Sequence, residues 1–399
     1  MTKSPVLAAN LARLPDFPFA KLALLLGSGP TSDCINMAIG EPQHPAPAVV
    51  AETLTAQAAQ WNKYPPGNGT PSWRAAVSGW LGRRYGLPVE FIDADKSILP
   101  LAGTREGLYL IAQTVCGPRG GQPPLVLVPN PFYQVYGGAT AMAGAELCFV
   151  PGASGPAGQP DYATLAPELL DRVAMAFLCS PANPQGSVAD TALLERSIET
   201  ARRHGFVLAV DECYSEVWDT APPAGALTAC ARLGAGLDNV LVFNSLSKRS
   251  SVPGLRSGFV AGDPALIEAF TRVRAHGGAT TPLPVLAAAA RLWDDEDHVT
   301  ASRDLYRAKI DLAERLLGGR FGFSRPAGGF FLWLDVGDGE AAAVRLWRKA
   351  RIRVLPGAYL AATDANGENP GQRFIRVALV HDLATTETAL GRLAQVLEG

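Results

Sequence analysis

Short, nearly continuous apolar runs alternate along this chain with longer stretches in which apolar residues recur every three or four positions. The runs fall at 97–101, 125–128, 147–150, 174–179, 207–210, 240–243 and 258–261. A strand with one wet face carries a polar residue at every second position; runs without that alternation describe strands covered on both faces. The stretches 104–115, 191–204 and 264–274 have helical spacing, and His204-Gly205 is a good C-terminal stop. This alternation predicts an α/β fold with a large domain, its mostly parallel seven-stranded sheet lying between helices. A ligand site is expected at the C-terminal ends of the strands. Beyond about residue 282 the pattern changes to longer helices, such as 300–317, followed by strand-like runs at 330–335, 352–355 and 373–380. We therefore expect a smaller α+β domain over 284–399, joined by residues 1–45, with the large domain over 46–283.

With 399 residues the chain is long enough for two domains. Hydrophobic content of 48% and charged content of 18% describe an ordinary globular protein. A net charge of −2 argues against a nucleic acid held through its phosphates. The six cysteines are scattered, with no CxxC pair and no histidine beside them, which predicts buried thiols in a reducing compartment and no metal site. No apolar run approaches the ~20 residues of a membrane span. Met1-Thr2-Lys3-Ser4-Pro5 lacks the charged-then-apolar build of a signal peptide, so the cytoplasm is the expected location and no membrane partner is expected.

Between Lys96 and Lys309 there is one lysine, Lys248, in Asn244-Ser245-Leu246-Ser247-Lys248-Arg249-Ser250-Ser251-Val252-Pro253-Gly254-Leu255-Arg256-Ser257-Gly258. Lysines are most often exposed, and a polar surface loop is one reading of this stretch. The other reading starts from its chemistry: an amine, two hydroxyls and a fixed cation. An amine with an ordinary pKa of roughly 10.4 is a nucleophile only where its surroundings lower that value. One use is a covalent bond to an aldehyde cofactor such as pyridoxal phosphate, whose phosphate needs hydroxyl, N–H and guanidinium partners. Ser-x-Ser-Lys, five residues, then Gly-x-Arg-x-Gly resembles the cofactor-lysine signature of class I/II, fold-type I, pyridoxal-phosphate-dependent aminotransferases. The resemblance implies that Lys248 carries pyridoxal 5′-phosphate while Ser245, Ser247 and Arg256 grip its phosphate.

Other segments carry the same resemblance. Asp211-Glu212-Cys213-Tyr214 follows the 207–210 run; a carboxylate there could also be a helix cap. By the resemblance Asp211 keeps the cofactor's ring nitrogen protonated, and Tyr214 donates to the ring oxygen. Ser180-Pro181-Ala182-Asn183-Pro184-Gln185-Gly186 reads locally as a rigid turn. It is similar to the family's Asn-Pro-x-Asn-Pro-x-Gly, with serine in place of the first asparagine and Asn183 as the functional amide. Asn130-Pro131-Phe132-Tyr133 offers Tyr133 either to the core or as the ring that stacks on the cofactor. Gly103 and Thr104, on a strand–helix turn, offer free N–H groups to a phosphate. Lys63-Tyr64-Pro65-Pro66-Gly67 resembles the loop whose tyrosine reaches the neighbouring subunit's phosphate, which implies a homodimer with shared sites. Arg376, an arginine in an apolar run, is matched to the substrate carboxylate anchor, with Arg373 as its competitor. Gly40 is matched to the glycine whose backbone lies near that carboxylate.

Longer strings, among them 245–250 with 252–263, 211–216 and 129–133, resemble one branch of the family, the succinyldiaminopimelate aminotransferases of bacterial lysine biosynthesis. The resemblance implies a ping-pong exchange of nitrogen between glutamate and 2-oxoglutarate on one side and a succinylated diaminopimelate pair on the other. An aminotransferase for another amino acid (aspartate, alanine or aromatic), a carbon–sulfur β-lyase of the same fold and a non-catalytic ligand-binding module remain the alternatives.

Overall fold

The computed structural model describes residues 7–30, 32–119, 121–155 and 157–399. Met1–Pro5, read above for a signal peptide, lie outside the described residues. In chain order the strands are β1 (Ile35–Asn36), β2 (Ile98–Leu101), β3 (Leu125–Asn130), β4 (Glu146–Pro151), β5 (Val173–Cys179), β6 (Val207–Asp211), β7 (Val240–Ser245), β8 (Gly258–Gly262), β9 (Phe331–Asp335), β10 (Ile352–Arg353), β11 (Leu355–Pro356) and β12 (Phe374–Ala378). Seven of them form one sheet in the order β2-β8-β7-β6-β5-β3-β4. The pairs from β4 through β3, β5 and β6 to β7 are parallel, and β8 alone runs antiparallel to both of its neighbours. The mostly parallel seven-stranded sheet expected from the sequence is present.

The lack of polar alternation has a direct physical cause. Along β5, Ala176 and Leu178 enter one hydrophobic cluster, while Met175 and Phe177 enter another on the opposite face. β7 divides in the same way, Val240 and Val242 against Leu241 and Phe243. Both faces are dry because helices cover both, so both sets of side chains must be apolar. The helices Thr104–Val115 and Thr191–His204 have the ends expected of them. Asp190 caps the second, accepting from the Leu193 N–H at 2.7 Å, and Gly205 closes it at φ 68°. Pro264–Gly277 extends three residues beyond its expected end, and Asp297–Leu317 begins three residues earlier than expected.

A second core gathers on two smaller sheets, β11-β12-β9 and β1-β10. The run 352–355, expected as one strand, is split between them. Ile352 pairs with Ile35 in parallel, whereas Leu355 pairs with Arg376 across an antiparallel ladder. A single apolar run thus serves two partners, and local sequence cannot choose between them. The helix Leu283–Asp294 lies beyond the expected boundary at 283, yet its Leu286, Ala289, Leu292 and Trp293 belong to the first core. We propose that the division between the two domains be drawn after that helix.

Phe243 is wholly buried on β7, two residues before the strand ends at Ser245. Phe243→Ala should lower stability by about 3–5 kcal/mol, the range for deleting a core aromatic. Chemical denaturation checks this, and an unchanged midpoint would show that the sheet does not depend on that face.

Candidate active site

The strands β3, β5, β6 and β7 run in parallel, so their C-terminal ends share one edge of the sheet. At that edge lies a cavity of about 400 Å³. β7 ends at Ser245, whose Oγ accepts from the Ser247 N–H at 3.1 Å and starts the short helix Leu246–Arg249. That turn delivers Lys248 into the cavity, where its Nζ donates to the Gly40 carbonyl. Burial lowers the amine's pKa to about 8.

At one end of the cavity the Ser245 and Ser247 hydroxyls lie 2.9 Å apart, with Thr104 and Arg256 lining the same wall. Arg256 adopts a left-handed φ of 52° and donates to the Pro253 carbonyl at 2.9 Å and the Ala102 carbonyl at 3.3 Å. Its guanidinium crosses directly over Gly103. A Cβ at Gly103 would sit 2.1 Å from Arg256 Nη2, and the φ of 86° there also favours glycine. Gly103 caps the helix Thr104–Val115, so the open N–H groups of a helix start join two hydroxyls and a guanidinium. This donor set fits a phosphate.

Asp211, at the end of β6, is 4% exposed and accepts from the Tyr136 hydroxyl at 2.8 Å and the Cys213 N–H at 3.1 Å. Burial raises its pKa, and those two bonds oppose the rise. The chain after Asp211 is a turn and not a helix, so helix capping does not account for the carboxylate. A buried carboxyl with acceptor capacity to spare fits a cationic ring N–H. Tyr214 packs edge-on against Phe330 and Phe331, and Tyr133 lines the cavity with its hydroxyl accepting from Arg105 Nε at 3.0 Å. A phosphate cup, an aromatic wall, a carboxyl and a low-pKa amine around one cavity fit pyridoxal phosphate.

Arg376 enters from β12 and is 4% exposed. Its Nη1 donates to Asn183 Oδ1 and its Nη2 to the Ala38 carbonyl, each at 2.7 Å, while the buried Nε has no partner. Among the described residues no carboxylate pairs with it. Burial lowers its pKa to about 10. The bond to Asn183 Oδ1 leaves that residue's NH₂ group free to donate. Arg373 points to the other face of the strand, where it pairs with Asp335 at 3.1 Å.

Lys248, Asp211, Tyr214, Thr104, Tyr133, Asn183, Ser245, Ser247, Arg256, Arg376 and Gly40 therefore share one cavity, with Gly103 directly behind Arg256. Tyr64 does not: it is 99% exposed and away from the cavity of its own chain. Sequence reasoning missed Tyr136 and Arg105. Tyr136 follows Tyr133 at helical i, i+3 spacing, and Arg105 adjoins Thr104; both signals were present but unspecific.

The family model of class I and II aminotransferases matches residues 32–393. The 4-dedimethylamino-4-oxo-anhydrotetracycline transaminase OxyQ of Streptomyces rimosus is 34% identical over 96% of this chain and 100% of its own. An LL-diaminopimelate aminotransferase of Moorella thermoacetica is 28% identical over 98% of each chain. The crystal structure of an aminotransferase from Neisseria meningitidis is 42% identical, covers 97% of this chain and 99% of its own, and superposes with a TM-score of 0.91. With cavity, fold and family model in agreement over nearly the whole length, the chain belongs to the class I and II aminotransferases, which use pyridoxal phosphate.

Proposed function

We propose that this aminotransferase exchanges nitrogen between glutamate and N-succinyl-2-amino-6-ketopimelate, giving 2-oxoglutarate and N-succinyl-diaminopimelate. The observation that carries the reading is Arg376, a buried guanidinium with no carboxylate partner among the described residues, facing the cavity that holds the Lys248 amine. Such a cation calls for an anionic ligand, and a bidentate arginine suits an α-carboxylate. The diaminopimelate substrate rests on the sequence strings named above and on the diaminopimelate aminotransferases among the relatives.

When bound, pyridoxal phosphate supplies an electron sink for the bonds of the substrate's α-carbon. Ser245, Ser247, Arg256 and the N–H groups at Gly103 and Thr104 hold its phosphate. Asp211, oriented by Tyr136, keeps a proton on the ring nitrogen. Tyr214 and the Asn183 amide would donate to the ring oxygen, and Tyr133 would pack on the ring. Lys248, whose pKa burial lowers to about 8, would supply the amine that moves a proton to and from the α-carbon. Arg376 would hold the substrate carboxylate in the cavity that Lys248 also lines. The almost wholly exposed Tyr64 ring is free to reach the phosphate site of a second copy, which supports a homodimer with shared sites.

Steady-state assays with glutamate against a panel of oxo acids, including N-succinyl-2-amino-6-ketopimelate, test the substrate. A kcat/KM for that compound no higher than for pyruvate or oxaloacetate would refute it. Without acceptor, glutamate should release one equivalent of 2-oxoglutarate per site, which a carbon–sulfur lyase would not do.

The lowered pKa of Lys248 gives a pH dependence with a definite sign. The neutral amine is the reactive form, so covalent capture of pyridoxal phosphate by the apoprotein should rise with pH and level off above about 8. Below that point the rate should fall about tenfold per pH unit. Visible absorbance and borohydride trapping follow it; a plateau only near pH 10, or a trapped lysine in Lys248→Ala, would remove Lys248 from the role.

Arg376→Ala should lower kcat/KM at least about tenfold in both half-reactions, because a hydrogen bond to a charged group is worth roughly 1.5–3 kcal/mol. Arg373→Ala serves as control and should stay within about threefold, as expected of an exposed pair. Loss with one substrate only would place Arg376 at a distal subsite instead.

A further inference from the structure

A buried cation that the chemistry above does not use stands behind the backbone of residues 38–44. Lys309, on the helix Asp297–Leu317, is 1% exposed. Its ammonium donates to His44 Nε2 at 2.7 Å and to the Leu379 carbonyl at 3.2 Å, and lies 4.9 Å from the Tyr306 ring centroid. Among the described residues no carboxylate forms an ion pair with it. An ammonium offers protons and no lone pair, so both partners must be acceptors. Burial lowers the Lys309 pKa to about 8, so near pH 7 the amine is mostly charged and His44 accepts through Nε2, which puts the ring proton on Nδ1, facing Ser302 Oγ at 3.4 Å. Burial and the Lys309 charge lower the imidazole's pKa to about 4, so the ring is neutral near pH 7.

Both acceptors lead straight to the cavity. His44 is four residues beyond Gly40, whose carbonyl takes the Lys248 amine, and the same segment gives the Ala38 carbonyl to Arg376. Leu379 is three residues beyond Arg376, and its N–H donates to the Phe330 carbonyl at 2.9 Å. Segment and strand are stitched side by side, Ala378 N–H to the Met37 carbonyl at 2.8 Å and Gln43 N–H to the Val380 carbonyl at 3.3 Å. Lys309 closes the far end of that seam. Packing follows the same route: His44 lies 4.7 Å from Tyr306, Tyr306 stacks on Phe330 at 5.0 Å, and Phe330 lies 5.5 Å from the Lys248 amine.

We propose that Lys309 is a positioning residue for the α-carboxylate site. By hydrogen-bonding His44 and Leu379 together it pins residues 38–44 against the chain just after β12, and so sets the Ala38 and Gly40 carbonyls on Arg376 and Lys248. A long side chain with several donors reaches acceptors on two segments at once; an apolar residue leaves both without that donor. This rests on the reading of Arg376 as the carboxylate anchor.

The test uses the pyridoxal form of the holoenzyme and 2-oxoglutarate, which has no nitrogen to give, so calorimetry reads carboxylate binding without turnover. Lys309→Met and His44→Phe should each weaken 2-oxoglutarate binding, and raise KM for both substrates, about tenfold, while kcat changes by less than about threefold. His44→Gln places an amide oxygen near the position of Nε2 and should stay within about twofold of the parent. If Lys309→Met fails to fold, the two His44 variants decide. Unchanged binding in His44→Phe, or equal losses in His44→Phe and His44→Gln, would overturn the proposal, the second by showing that the ring packs and does not accept. Arg376→Ala separates the two readings. If it leaves 2-oxoglutarate binding intact, the anchor itself is wrong; if it weakens binding and His44→Phe does not, only the positioning role falls.

Discussion

A guanidinium buried in a strand, with no carboxylate paired to it among the described residues, is the constraint around which much of this structure is arranged. The desolvation of such a charge costs several kcal/mol unless other groups answer it. Arg376 is answered by a backbone carbonyl from the segment 38–40, a side-chain amide from the turn after β5 and the face of Phe331, 4.2 Å from its carbon. Each of these is a dipole or a quadrupole and none is a full charge. The guanidinium is therefore oriented without being neutralised, and the field that remains is available to an anion. A carboxylate in place of Asn183 would neutralise the guanidinium that the site keeps available to an anion.

The same economy of charge governs the pair of titrating groups across the cavity. Burial pushes the Lys248 amine down towards neutrality and the Asp211 carboxyl up. For Lys248 the nearby Arg376 charge works in the same direction as burial, while the Cys213 thiol and Glu41 oppose it. For Asp211 the Tyr136 hydroxyl and the Cys213 N–H resist the rise, so the carboxyl keeps donors on both oxygens. Both shifts favour the uncharged form, and a cationic ring N–H against Asp211 would restore its carboxylate while Lys248 keeps its lone pair.

Much of this was legible in the sequence for reasons that are local. Strands dry on both faces lose their polar alternation, so the central sheet reads as apolar runs, and Asp190 and Gly205 mark a helix by the groups they satisfy. Ser245, Ser247, Lys248 and Arg256 read as one string because a single turn and its return hold them together. What was not legible is pairing at a distance. Tyr136 meets Asp211 across 75 residues, and Lys309 meets His44 across 265, with nothing in either neighbourhood to name the partner. The run 352–355 failed for the same reason: its residues are apolar enough for either sheet, and only the fold assigns Ile352 to β1 and Leu355 to β12.

Within a few residues the chain passes from structural pairing to the cavity, and this explains why the segment after β1 can serve as a rigid floor. Met37 N–H donates to the Arg353 carbonyl at 2.9 Å and the Met37 carbonyl accepts from Ala378, so the segment lies between β10 and β12. The Asn36 side chain then accepts from the Ala38 N–H at 3.1 Å and turns the chain. Gly40 follows, so close to Phe331 that a Cβ would come within 2.5 Å of its ring. Moving this floor would break sheet hydrogen bonds at one end or drive backbone into an aromatic ring at the other. Two carbonyls aimed at Arg376 and Lys248 are consequently held by the second core, while β7 delivers Lys248 from the large sheet, which places the cavity's geometry under the control of both.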